Sequence, residues 1–88
     1  MDMQVTIRGR RWRLKTARLT AALGYCDSPN ETGKTITISD KVDGQVLIEA
    51  LIHEMLHAAT WDSSEEMVSE TARDIARVLY RLGCRIDE

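Results

Sequence analysis

The sequence predicts an α+β fold: a short antiparallel β-sheet of three to four strands packed on one helix, with a second helix at the C-terminal end. Three observations predict it. Up to Asp40 the chain alternates apolar and polar residues in short runs. After Gly44 a helical period replaces the alternation. The length of 88 residues suits a single domain, residues 1–88, with one modest core.

From Val5 to Leu14, apolar Val5, Ile7, Trp12 and Leu14 are spaced by polar residues about Gly9-Arg10, the pattern of a β-hairpin. Leu19 to Cys26 is less periodic and reads first as a loop, in which Leu23-Gly24-Tyr25-Cys26 could form a short strand before the turn-rich segment from Asp27 to Gly33. Thr35-Ile36-Thr37-Ile38 is a β-branched run of strand type that Ser39-Asp40 closes. A helix is expected from about Gln45 to about Thr60, apolar nearly all round and therefore covered on most sides. Ser63, with Glu66 three residues on, has the form of a capping box for a second helix reaching about Leu82, where Gly83 is placed to stop it. The apolar stripe expected on this helix is Val68, Thr71, Ala72, Ile75, Leu79 and Leu82.

A formal net charge of −2 argues against a surface devoted to nucleic acid or anionic membrane. Six of the twelve basic residues nevertheless lie between Arg8 and Arg18. Arg11, Arg13 and Lys15 share one strand face, which suits a solvated outer surface better than a phosphate-binding one, because no nucleic-acid motif accompanies it. Cys26 and Cys84 fit no CxxC pair or disulfide framework, as expected in a reducing compartment. No apolar run approaches membrane-spanning length and the N-terminus has no signal-peptide pattern, so a cytoplasmic protein is expected.

The interior polar residues of the first helix are Glu49, His53, Glu54 and His57, and the chain's only two histidines are among them. His53 and His57 lie one turn apart on one face, so both imidazoles can bind one zinc ion (Zn2+), while Glu54 can sit beside the metal as general base. An unpaired imidazole on so apolar a helix would be costly. A catalytic zinc needs a third protein ligand. Thr60 and Ser63 stand where a metzincin has glycine and histidine, so the ligand is sought on the second helix, among Glu65, Glu66 and Glu70. At 100° per residue, Glu65 lies about 60° from Val68 on the buried side, whereas Glu66 and Glu70 point about 160° away, so Glu65 is the expected ligand. Glu49 and Asp74 are candidates to orient the histidines, and Tyr25, Tyr80 or an arginine to polarise a substrate carbonyl.

Leu51-Ile52-His53-Glu54-Met55-Leu56-His57-Ala58, with Ser64-Glu65-Glu66-Met67-Val68, resembles a group of small HExxH proteins of bacteria and phages, minimal gluzincins. The resemblance extends to residues 23–27 and 76–83. It implies a zincin-like core, zinc held by His53, His57 and Glu65, and metallopeptidase activity with Glu54 as the base. It also implies that an edge strand, Thr35 to Ile38, binds an extended peptide or protein substrate by strand addition. Two other readings accompany this one: a non-catalytic binding or regulatory domain that zinc stabilises, its fourth position closed by a group such as Cys26, and a nucleic-acid-associated factor using the basic hairpin. Monomer and homodimer, the latter through the apolar second helix or an open sheet edge, are both compatible with so small a chain.

Overall fold

The computed structural model describes residues 1–87. It is α+β: strands β1 (Asp2–Ile7), β2 (Arg10–Ala17), β3 (Gly24–Cys26) and β4 (Thr35–Ser39) precede helices α1 (Gly44–Ala59) and α2 (Glu65–Arg81).

β1 and β2 form the expected hairpin, with Val5 opposite Trp12 and Ile7 opposite Arg10. The two turn residues between them, Arg8 (φ 50°) and Gly9 (φ 77°), both take left-handed backbone. That is the type I′ geometry whose twist matches the strands, and glycine supplies half of it without a steric penalty. The Arg8 guanidinium donates to the Ala59 carbonyl at 3.0 Å, tying the hairpin tip to the C-terminal end of α1.

The sheet order is β1-β2-β4-β3, which corrects two expectations. First, the sheet is mixed: β4 pairs antiparallel with β3 but parallel with β2, Leu14 lying opposite Ile36. The segment 18–34 allows this by carrying the chain past β4's position and back through β3. Second, Thr35–Ile38 is no edge strand, because β4 is filled on both sides. Among the described residues, the open edges belong to β1 and β3. Asp27 secures the β3–β4 connection: its backbone N–H donates to the Thr35 carbonyl at 3.0 Å, and its Oδ2 accepts from the Thr35 N–H at 3.1 Å.

One face of the sheet buries Trp12, Leu14, Cys26, Ile36 and Ile38 against Leu47, Ala50, Leu51 and Ala58 of α1. α1 lies between this face and α2, which is why its sequence is apolar on most sides. Among the described residues, α2 packs on α1 and on no strand. Its cap is Ser64, whose Oγ accepts from the Met67 N–H at 3.1 Å, so the expected Ser63–Glu66 capping box is not formed and the helix starts one residue later. Its buried face matches the expected stripe at Val68 and Ala72 and departs from it elsewhere. Val68, Ala72 and Ala76 are buried, whereas Ile75 and Leu82 are exposed. The two alanines let α1 approach closely, and that rotates the bulkier side chains outward. Among the described residues, no helix is long and apolar enough to cross a membrane.

Candidate metal centre

His53 and His57 occupy the third and fourth turns of α1, on the side facing α2, and their Nε2 atoms are 3.2 Å apart. Glu65, the first residue of α2, reaches across to both. Its Oε1 is 2.8 Å from His53 Nε2 and its Oε2 is 2.9 Å from His57 Nε2. The three side chains thus turn their donor atoms toward one point, all within 4.8 Å of one another. Glu65 can do this because it lies on the side of α2 that carries Ala72 and Ala76, within about 20° of each by helical geometry.

The donor set fits a metal ion. Two imidazole nitrogens at about 2.0–2.1 Å from a tetrahedral zinc stand roughly 3.3 Å apart, close to the separation found here. Two imidazoles and a carboxylate are also a ligand set of catalytic zinc sites, which leave a fourth position open. The cleft in front of the triad has a volume of about 340 Å³ and is lined by Gly24, Tyr25, Cys26, Glu54 and Trp61 besides the triad itself.

Glu54 is buried beside the histidines. Burial pushes its carboxyl above the ordinary glutamate range, and the Glu65 carboxylate adds to the rise, while His53 and His57 oppose it. It stands against β3: a Cβ on Gly24 would come within 2.9 Å of Glu54 Cγ and Oε2. Gly24 thus leaves the space in which the Glu54 carboxylate lies.

The other candidates separate cleanly. Glu66 and Glu70 are exposed and lie outside the triad. Asp74 pairs with Arg77 at 3.3 Å on the outer surface of α2, away from the histidines. Glu49 lines an adjoining pocket of about 240 Å³ with Leu23, Gly24, Val46, Ala50, His53 and Glu54, and no hydrogen bond joins it to either imidazole. Tyr25 lines the cleft. Tyr80 does not: it lies near Gly44 at the start of α1, with the Arg85 guanidinium 3.5 Å above its ring. Among the described residues, no arginine lines the cleft.

Cys26 borders the cleft without joining the triad. Its Sγ donates to the Asp27 carbonyl, and burial, with the nearby Glu54 and Asp27 carboxylates, pushes the thiol up to about 12. The basic hairpin is partly committed to the fold: Arg8 holds Ala59, and Arg13 binds Asp2 with contacts of 2.7 and 3.1 Å. Sequence reasoning missed Gly24 and Trp61. Trp61 stacks edge-on with His57 at 6.2 Å between ring centroids, and an exposed tryptophan just past the motif helix was the available signal.

Comparison with known proteins finds no matching family model, curated protein or solved structure.

Proposed function

We propose that this chain is a zinc-dependent peptidase of the zincin-like, gluzincin type. The observation that carries the reading is the convergence of His53 Nε2, His57 Nε2 and the Glu65 carboxylate on one point, with the Glu54 carboxylate beside it and an open cleft in front.

Zinc bound there supplies Lewis acidity toward a water molecule and a substrate carbonyl. His53 and His57 hold it from one rigid helix and Glu65 from the next. The Glu54 carboxylate, confined by Gly24, takes the proton of the attacking water and returns it to the departing amine nitrogen. The open edge of β3 runs along the cleft, so an extended peptide adds to the sheet beside Gly24–Cys26 and is held by backbone hydrogen bonds. Tyr25, exposed at the rim, is among the described residues the aromatic hydroxyl that lines the cleft, and it donates to a carbonyl oxygen of the bound peptide.

The test is a pair of measurements on wild type and Glu54→Gln. Metal analysis is expected to find about one zinc per chain in both, and a peptide library is expected to be cleaved only by wild type, with the loss at least about 10³-fold. Cleavage that survives in Glu54→Gln removes the mechanism, and a wild-type chain that retains no zinc removes the site.

A further inference from the structure

The bulky residues that the α1–α2 contact turns outward form a strip of their own. Met67 is 57% exposed, Ile75 40%, Val78 56% and Leu82 78%, with Thr71 between Met67 and Ile75. Spacings of four, four, three and four residues keep these five on one stripe down the helix, the periodicity of a helix-pairing seam. Among the described residues α1 is the one helix or strand that packs on α2, and it covers the Val68, Ala72 and Ala76 face, which leaves the strip exposed. We propose that it is the contact surface of a homodimer in which two α2 helices pack antiparallel.

The charges beside the strip specify both the partner and its direction. Glu70, Asp74, Arg77 and Arg81 project about a quarter-turn from the strip, all on one side, acidic toward the N-terminal end and basic toward the C-terminal end. An antiparallel copy faces this flank with its own, so the acidic half meets the basic half. A parallel copy would face it with the side that α1 already covers. Asp74 and Arg77 already bond one another, while Glu70 and Arg81 have no ion-pair partner among the described residues.

A two-fold axis at Ile75 satisfies all of these at once. Ile75 meets its counterpart, Thr71 meets Val78 of the second copy, Met67 meets Leu82, and Glu70 comes opposite Arg81. By helical geometry the centre of the strip lies about 120° around α2 from Glu65, so pairing leaves the metal cleft open and does not depend on what that cleft does. A single helix of about 25 Å gives an interface at the small end of the specific range.

Sedimentation equilibrium of the whole chain, from micromolar to near-millimolar concentration, tests this. The mass-average is expected to climb from 10.0 kDa toward twice that value. Ile75→Glu/Val78→Glu should hold it at the monomer with the helix content by circular dichroism unchanged. Two further variants fix the direction: Glu70→Arg/Asp74→Arg and Arg77→Glu/Arg81→Glu. Each alone should self-associate at least tenfold more weakly than wild type, and an equimolar mixture should recover wild-type association as a heterodimer. A chain that stays monomeric to near-millimolar concentration overturns the proposal and leaves the strip to a different partner. Charge variants that associate alone as well as wild type, or a mixture that fails to recover, overturn the antiparallel arrangement.

Discussion

Gly24 illustrates how far the chemistry proposed for the cleft depends on an atom that is missing. The Glu54 carboxylate lies where a side chain at position 24 would be, so Gly24→Ala must shift either β3 or Glu54 by several tenths of an ångström. Small displacements of a reacting group cost rate steeply. Gly24→Ala is therefore expected to lower kcat by about 10²-fold while leaving zinc content unchanged, as read by metal analysis beside steady-state kinetics. A kcat within twofold of wild type would show that the carboxylate has room to move. The positions of His53, Glu54 and His57 were legible because the four-residue spacing is local and helical geometry is nearly invariant. Glu65 was legible for the same reason, one helix on. Gly24 was not, since only the packing of β3 on α1 reveals what a Cβ there would meet.

At the scale of elements, the triad is a joint between α1 and α2. Among the described residues α2 touches no strand, its buried face is Val68, Ala72 and Ala76, and two alanines bury little apolar area. Among the described residues Glu65 is the α2 residue paired with the histidines, through contacts of 2.8 and 2.9 Å from an exposed carboxylate. Chelation of a zinc-loaded sample is thus expected to release α2 preferentially. Amide hydrogen exchange should quicken across residues 65–81 by at least an order of magnitude and change little in β2 and β4. Equal acceleration everywhere would mean that α2 is held by its apolar face alone. The elements themselves were largely readable: the hairpin from its alternation about Gly9, α1 to within a residue at each end, α2 from its period. The direction of β4 was not, because a β-branched run such as Thr35-Ile36-Thr37-Ile38 pairs equally well either way, and its neighbour is chosen by the crossover through β3. Nor was the whole buried face of α2: Val68 and Ala72 lie on the expected stripe, but hydrophobicity favoured Ile75 and Leu82 where the packing buries Ala76.

For the molecule as a whole, the notable fact is how differently its parts are spaced along the chain. The parallel β2–β4 pairing joins residues such as Leu14 and Ile36, and the Arg8 clamp reaches Ala59, so closing the sheet and fastening it to α1 both require distant segments to find each other. The donors at 53, 57 and 65 span a single αα-hairpin. In kinetic terms the short loop closes fast and the long ones slowly, because closure entropy grows with separation and rates fall with contact order. A cation present during refolding would tether α1 to α2 before the sheet has formed, presenting the strands with a preassembled template. Zinc is accordingly expected to steepen the gain in the folding rate, with the refolding arm of the chevron rising by more than the unfolding arm falls. The opposite partition would place the metal after the rate-limiting step, as a latch on a finished fold. The same thirteen-residue neighbourhood that makes the site recognisable in a linear sequence would then also make it the earliest part of the molecule to acquire shape.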